Sequence, residues 1–393
     1  CGLLAVADYL RRYYPDDLHE AWFQEAKGFF DTYRDRGSFV SDETGLMLAS
    51  VSNVMESIYR TLDDPSEHPF LRDTLKRLMA WINNYGMVPA FGDTPSGWRS
   101  PRDYYLLGAR IYGDPEFLWM YHHLRSASPK RRAGIRPVDD GDWWPVDIEP
   151  RVPEGLDGVQ WSEPDEILYS VADTRWAARN QVTAEDCYGK VAFRGGLGPQ
   201  DDYLLLDGIG LKGHAYEDAN GILEYSALGR TFLVSLDSNY GAAPSAHNGV
   251  CVSVDGMASA PPMLAARRLW ADFAETGATR TVLHNDGSAD WERNVIWLRN
   301  TCTVVFDRVI AKRTGMHSAT AFWRAVGEAE ASPDGIRVTQ GASGEEVTFR
   351  MDLHAADDVV LGREEDPQAG YNFHRYTRPA PPLDDVPHVI PVL

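Results

Sequence analysis

The sequence predicts an α+β multidomain protein in which a helical part comes first and an antiparallel β-sandwich follows. Apolar residues recur at helical spacing from residue 1 to about residue 126, with no strand pattern between the helices. Residues 127–165 contain six prolines mixed with Asp and Gly, which is typical of a linker. From residue 166 to residue 363, apolar residues alternate with period two in many short runs. Residues 364–393 are rich in Pro and charge, and no element is predicted for this tail.

The helices of the first part are bounded by residues that stop or start a helix. Pro15 stops the first helix and Gly37 the second, and Pro101 stands where the first turn of a helix favours proline. Short loops join the helices, so antiparallel helix pairs, as in a toroid or solenoid, are the best fit. The predicted helices are Leu3–Tyr14, Leu18–Tyr33, Thr44–Leu62, Pro69–Asn84, Asp103–Ile111 and Glu116–Arg125.

The strands of the second part are short runs rich in branched and aromatic residues, separated by turn residues. Asn300-Thr301 separates two of these runs and predicts a hairpin. The predicted strands are Ile167–Ala172, Lys190–Arg194, Tyr203–Asp207, Ile222–Ala227, Thr231–Leu236, Arg267–Phe273, Thr279–His284, Asn294–Leu298, Thr303–Ile310, Ala319–Val326, Gly335–Gln340 and Glu345–Leu353.

Composition excludes several functional classes. A net charge of −20 argues against nucleic acid as the main partner, because phosphate binding needs a basic surface. The sequence has no run of about 18 apolar residues, so no transmembrane helix is expected. The four cysteines have no C-x-x-C spacing, which argues against a zinc knuckle or a thioredoxin-type motif.

The polar residues best suited to catalysis or to metal binding lie between Gly213 and Gly256. Strand-like runs separate them, and extended segments alternate their side chains between two faces, so neighbouring strands would bring distant residues together. The alternative is an ordinary sheet with scattered polar residues. The candidates in this stretch are His214, Asp218, Asp237, Tyr240, His247 and Asn248.

This stretch resembles the heparinase II/III-like polysaccharide lyases, a family that includes alginate lyases of the same architecture. Gly213–Asp218 reads G-H-A-Y-E-D where the family has G-H-x-H-x-D, and Ala246–Val250 contains the family's H-N pair. The likeness covers roughly residues 36–326. Its other parts are Asp237–Tyr240 and Val254–Gly256 in the motif, Trp291–Arg293 and Val305–Val309 downstream, and Arg36–Phe39 and Pro89–Asp93 upstream.

The resemblance implies an incomplete α/α toroid before the sandwich, and cleavage of a uronic-acid-containing polysaccharide or oligosaccharide by β-elimination. A base removes the C5 proton beside the carboxylate, and an acid protonates the glycosidic oxygen as the C4–O bond breaks. The product is an unsaturated uronate. The site must stabilise enolate-like charge, and His and Tyr suit the two proton transfers.

The resemblance assigns the catalytic role first to His214, which matches the family's catalytic histidine, with a buried structural His as the alternative. The toroid's catalytic Tyr has no counterpart at the position where the family usually places it. Tyr85 and Tyr240 are therefore candidates by composition, and packing is the alternative for each.

The resemblance also implies a structural Zn²⁺ site. Asp237 and His247 match two of its three ligands, but the third position holds Tyr216 in place of His. Neutral Tyr is a rare zinc ligand, so this departure weakens the prediction. A hydrogen-bonded Asp237–His247 pair is the alternative.

The substrate-binding candidates are cationic, aromatic and amide side chains. Arg99 and Arg102 follow the Gly92-Asp93 turn, and their guanidinium groups suit a uronate carboxylate, with Arg267 as an alternative. Trp98 suits sugar stacking or a core position. Asn248 of the H-N pair completes the set.

Two rival functions are open. A glycoside hydrolase on a helical toroid would use two carboxylates, for which Glu43 and Asp93 are candidates. A catalytically lapsed glycan-binding relative is the second rival, because the expected Tyr is missing. The acidic charge favours a weakly charged or short substrate over heavily sulfated heparin.

The family implies a secreted or periplasmic protein. No signal peptide is visible, and the chain begins at Cys1 inside a helical pattern. The helical part is short for a full toroid. We interpret the chain as a fragment or a processed form, with a lipid-modified Cys1 as an alternative.

Overall fold

The computed structural model describes the chain in segments that cover most of the helical part and most of the strands. The described residues are 2–36, 66, 69–91, 101–127, 147–164, 182–210, 218–235, 247–258, 262–284, 289–332, 335–342, 345–352, 362–363 and 387–392. The predicted helix Thr44–Leu62 and the predicted strand Ile167–Ala172 lie outside them.

The described helices agree with the prediction to within three residues at their ends. The first two form a hairpin with its own small apolar cluster of Leu4, Ala7, Phe23 and Ala26. The other three pack on one another through a larger core. The helices are α1 (Gly2–Tyr13), α2 (Asp17–Arg36), α3 (Pro69–Trp81), α4 (Arg102–Tyr112) and α5 (Pro115–Ala127).

The described strands pair antiparallel throughout. They are β1 (Gly158–Trp161), β2 (Lys190–Arg194), β3 (Tyr203–Asp207), β4 (Ile222–Ala227), β5 (Arg230–Val234), β6 (Val250–Val254), β7 (Met257–Ala258), β8 (Ala265–Asp272), β9 (Thr276–His284), β10 (Ala289–Leu298), β11 (Cys302–Ala311), β12 (His317–Val326), β13 (Glu328–Ser332), β14 (Gly335–Ala342), β15 (Glu345–Asp352), β16 (Gly362–Arg363) and β17 (Pro387–Val392).

The strands form three sheets. The largest has ten strands in the order β1-β2-β3-β4-β5-β12-β17-β16, with β6 paired to β12 and β7 paired to β6. A second sheet has the order β11-β10-β9-β8, and a third has the order β13-β14-β15. The predicted hairpin at Asn300-Thr301 is confirmed, since Leu298 pairs with Cys302 and Asn300 takes a positive φ of 51°.

The large sheet is covered on both faces, which explains why every residue of β2 and β3 is buried. Val191, Phe193 and Leu204 belong to one apolar core with Trp291 and Trp297 of the second sheet. The alternate residues Ala192, Tyr203 and Leu205 belong to a different core, with residues of α3, α4 and α5. The alternation of side chains along a strand thus places the sheet between a helical layer and a second sheet.

Six of the described strands are not predicted, namely β1, β6, β7, β13, β16 and β17, and two of them, β1 and β17, lie outside the predicted sandwich range 166–363. β1 forms inside the predicted linker because Gly158–Trp161 pairs with β2, a contact that local sequence does not reveal. β17 forms inside the tail for which no element is predicted, and it pairs with β12. Its prolines, Pro387 and Pro391, stand outside its two-residue pairing with β16, where a missing N–H costs no ladder bond to that strand.

None of the described helices has both the length and the apolar character needed to cross a lipid bilayer.

Candidate functional site

The helical layer meets the large sheet through the segment that follows α3. Arg194 of β2 is fully buried and donates hydrogen bonds to the carbonyl oxygens of Ala80 (3.3 Å) and Ile82, and to the side chain of Asn84. A cation at the C-terminus of a helix satisfies carbonyls that lack intrahelical partners and complements the helix dipole. Tyr203 adds a hydrogen bond from its hydroxyl to the carbonyl of Trp81 at 2.9 Å.

Glu224 of β4 fixes the next residues of this segment. The side-chain amide of Asn83 donates to both carboxylate oxygens of Glu224, at 2.8 and 3.1 Å, and both residues are fully buried. Asn83 Oδ1 accepts from the backbone N–H groups of Tyr85 and Met87, at 3.0 Å each. Burial raises the pKa of Glu224 to about 7, against the opposing effects of Asn83, Ser226 and Arg194.

A buried ion pair joins the end of this segment to the end of β3. Lys190 Nζ lies 2.6 Å from Asp207 Oδ1, and the two side chains are 3% and 0% exposed. The same ammonium lies 4.1 Å from the centroid of the Phe91 ring. Asp207 Oδ1 also accepts from the backbone N–H of Ile209 at 3.1 Å. Phe91, which precedes residues 92–100, and Asp207, which lies shortly before residues 211–217, therefore both contact Lys190.

The H-N pair, His247 and Asn248, lies where the start of β4 meets the end of β5. His247 is buried, and its Nδ1 lies 2.7 Å from Ser235 Oγ. Burial, and then the charge of Arg324, lowers the pKa of His247 to about 3, so the imidazole is neutral at physiological pH. The amide of Asn248 donates to the carbonyls of Ile222 and Val234, at 2.9 and 3.0 Å.

Half of the predicted site residues lie outside the described residues, and the structure leaves their predicted roles as predictions. They are His214 and Tyr240 of the catalytic set, Trp98 and Arg99 of the substrate-binding set, and Asp237 of the metal set. Tyr216, Glu43 and Asp93 also lie outside.

Tyr85 is buried between the helical segment and the large sheet. Its hydroxyl donates to the carbonyl oxygen of Arg230 at 3.0 Å, and burial raises its pKa far above the ordinary value for tyrosine. Its ring clusters with Met87 and Val234. These contacts support the packing alternative for Tyr85 and give no support to its use as a catalytic acid.

The described substrate-binding candidates are spread over three places. Arg102, at the start of α4, donates to the hydroxyl of Tyr121 and stacks on its ring at 4.4 Å. Arg267 lies on β8, with its guanidinium 5.6 Å from the Trp161 ring. Asn248 has no exposed surface, and its Oδ1 accepts from the N–H of Arg324 at 2.6 Å in addition to the two bonds above. This geometry gives Asn248 a structural part, because both amide hydrogens and the carbonyl oxygen bind backbone.

The chemistry of His247 fits the predicted zinc ligand. A neutral imidazole is the form that binds zinc, and with Nδ1 on Ser235 the ligand atom would be Nε2. Among the described residues, no group of three His, Cys, Asp or Glu side chains converges in a way that would hold a metal ion. Zn²⁺ at Asp237 and His247 therefore stays a prediction.

Sequence reasoning missed Glu224, Arg194 and Lys190 as the groups that hold the helical segment on the sheet. Lys190 and Arg194 alternate with core residues of β2, and a register shift between β3 and β4 brings Glu224 opposite Leu205 on the side that faces the helices. An apolar residue is expected at each of these buried positions. A charged residue at such a position was the available signal, because charges are rarely buried without partners. Their partners lie far away in the sequence, as with Asn83 and Glu224, which are 141 residues apart.

Neither a protein-family model nor a curated protein matches the sequence of this chain. Solved structures do match its fold. The chain superposes on the heparan sulfate lyase HepC from Pedobacter heparinus with a TM-score of 0.62 at 13% identity, over 99% of this chain and 56% of that chain.

Two heparinase III structures give the same result. One has a TM-score of 0.63 at 12% identity over 99% of this chain and 55% of that chain, and the other has 0.62 at 13% over 99% and 57%. The chain thus spans just over half the length of the proteins that it resembles. The chain has the fold of the heparinase-like polysaccharide lyases.

Proposed function

We propose that this chain belongs to a secreted or periplasmic polysaccharide lyase that cleaves a uronic-acid-containing glycan by β-elimination, with His214 as the proton-transfer residue. The observation that carries the proposal is a set of contacts among residues that precede three segments of the chain, 92–100, 211–217 and 236–246. Lys190 contacts both Phe91 and Asp207, which precede residues 92–100 and 211–217. Val234, which precedes residues 236–246, packs on Tyr85 and Met87.

Those three segments contain the undescribed candidates. Trp98 and Arg99 belong to the first, His214 to the second, and Asp237 and Tyr240 to the third. The described residues that precede these segments come from the helical part and from the strands. This supports a shared site between the two parts, where ligand sites are commonly found. The likeness to structures named heparan sulfate lyase and heparinase III supports the same reaction class.

The proposed reaction divides the work between three kinds of side chain. His214 takes the C5 proton, and the electrons of that C–H bond form the C4=C5 double bond as the C4–O bond breaks. Tyr240 is the candidate acid that protonates the departing glycosidic oxygen. Arg99 pairs with the uronate carboxylate and stabilises the charge that develops there.

We propose Asp237 and His247 as ligands of a structural Zn²⁺ that would hold the third segment on the sheet. The neutral, buried state of His247 supports this assignment. The ion would serve the fold, and no proton transfer above depends on it.

The test is a screen of uronate polymers for unsaturated products, followed by absorbance near the ultraviolet edge. The panel contains alginate, hyaluronan, heparan sulfate and heparin, and the net charge of −20 leads us to expect faster turnover of the less sulfated polymers. His214→Ala should abolish the product. His19→Ala is the matched control, because His19 is only half-buried on α2 and lies outside the motif stretch.

The screen also separates the rival functions. Sugar release without unsaturation would indicate a glycoside hydrolase, and binding without any product would indicate a lapsed relative. Near-normal turnover by His214→Ala would refute the assignment of the base. A parallel series with a chelator tests the metal, since loss of zinc should lower the unfolding temperature.

A further inference from the structure

The guanidinium of Arg293, on β10, binds four oxygen atoms in the interior of the sandwich. Nε and Nη2 donate to the two carboxylate oxygens of Asp307, at 2.9 Å each. Nη1 donates to the carbonyl oxygens of Asn220 at 3.0 Å and of Asn248 at 2.8 Å. Arg293 has no exposed surface, so this arrangement satisfies a charge that would otherwise be costly to bury.

The two carbonyl groups belong to the flanks of the motif stretch. Asn220 follows residues 211–217 by three positions, and Asn248 follows residues 236–246 by two positions. Asn220 has a positive φ of 66°, and its N–H donates to the carbonyl of Asp207 at 2.8 Å. One guanidinium thus binds the backbone beside residues 211–217, which contain His214, and beside residues 236–246, which contain Asp237 and Tyr240.

Aromatic side chains enclose the guanidinium. Its central carbon lies 4.7 Å from the ring centroid of Trp291 and 5.6 Å from that of Trp323. Trp291 Nε1 also donates to Asp307 Oδ1 at 2.8 Å. These contacts fix the plane of the guanidinium, and with it the direction in which Nη1 points.

We propose that Arg293 is a positioning residue for the active site, which sets the two motif segments relative to each other through the carbonyls of Asn220 and Asn248. The inference rests on the proposed function for its catalytic consequence, but its structural part stands alone. Lysine cannot replace arginine here, because one ammonium cannot reach both Asp307 oxygens and two carbonyls in this fixed plane.

The first test compares hydrogen exchange of the intact chain with that of Arg293→Lys. Exchange should rise about 10-fold or more in peptides covering residues 206–222 and 234–250, because the clamp on their backbone is lost. Exchange in β14 and β15 should not change. Arg280→Lys is the control, since Arg280 is exposed on the neighbouring strand β9.

A second variant keeps the test decisive if Arg293→Lys does not fold. Asp307→Asn leaves the guanidinium in place but removes the charge that orients it, so the same two peptides should exchange faster and the others should not. Unchanged exchange in both peptides, or a uniform rise throughout the chain, would overturn the inference.

Kinetics give the second readout once a substrate is found. In Arg293→Lys, kcat should fall about 10-fold or more while KM stays within about 2-fold, because misplaced catalytic groups lower the rate more than they lower substrate binding. Equal changes in kcat and KM would contradict a positioning role. If the wild-type chain turns over no polymer, the proposed function fails, and the exchange experiment still decides the role of Arg293.

Discussion

The carboxyl group of Glu224 should make the stability of this protein fall as pH rises from acidic to neutral. Its pKa is about 7 in the folded chain and 4.5 in its ordinary state, because it is fully buried. Between these two pH values the folded chain binds a proton that the unfolded chain has released. Raising the pH therefore favours the unfolded state in this window, and Glu224 is most favourable for folding below pH 4.5.

Glu224→Gln removes this titration and keeps an oxygen that accepts from Asn83. From the two pKa values, the ionisation of Glu224 costs the folded state about 1 kcal/mol at pH 5 and about 3 kcal/mol at pH 8. We expect the variant to gain about 2–3 kcal/mol in free energy of unfolding over the wild type between these pH values. Urea denaturation followed by tryptophan fluorescence at each pH measures this difference.

Comparison with the variant is necessary because other groups titrate in the opposite sense. The pKa of His247 is lowered to about 3, so its protonation destabilises the folded chain as pH falls below the ordinary value of 6.5. Glu275→Gln, which changes an exposed carboxyl group, controls for the loss of one negative charge. The reasoning is refuted if the difference between wild type and Glu224→Gln is the same at pH 5 and pH 8.

Two further substitutions, one of them with a glycine control, test the packing of the interior. Lys190→Met removes the ammonium between Asp207 and Phe91, and should lower the free energy of unfolding by about 3–5 kcal/mol in urea; a loss below about 1 kcal/mol would show that the buried pair does not hold these segments. Gly277→Ala places a Cβ 2.4 Å from Val159 Cγ2, and should cost about 1–3 kcal/mol in the same assay. Gly28→Ala, which meets no atom within 4 Å, should instead be neutral or stabilising, and equal losses in the two glycine variants would contradict the packing argument.

The sequence predicts the central strands well because their pattern is local. Lys190–Arg194, Tyr203–Asp207 and Ile222–Ala227 form strands with the predicted bounds. The helix Pro69–Asn84 was predicted three residues too long, since it ends at Trp81. Asn83 gives the reason, because its side-chain oxygen binds the N–H groups of Tyr85 and Met87 and turns the chain out of the helix.

The candidate site was predictable only in part, because the motif and its support are encoded differently. His247 and Asn248 stand next to each other in a recognisable pattern. The structure places both where the start of β4 meets the end of β5. The groups that join helices to sheet have no such pattern. Arg194 binds Asn84 across 110 residues of sequence, and neither residue indicates the other until the fold brings them together.

Under the proposed function, the motif on the sandwich acts on a glycan only if the helical segment is held at a fixed distance from it, and loosely packed apolar contacts do not fix a distance or a direction. The hydrogen bonds of Glu224 to Asn83 and of Arg194 to Asn84 do both, because each joins named atoms across the interface. The buried charges cost stability, and the pH dependence of Glu224 measures part of that cost. We infer that these charges are retained because they hold the helical segment in a precise position on the sheet.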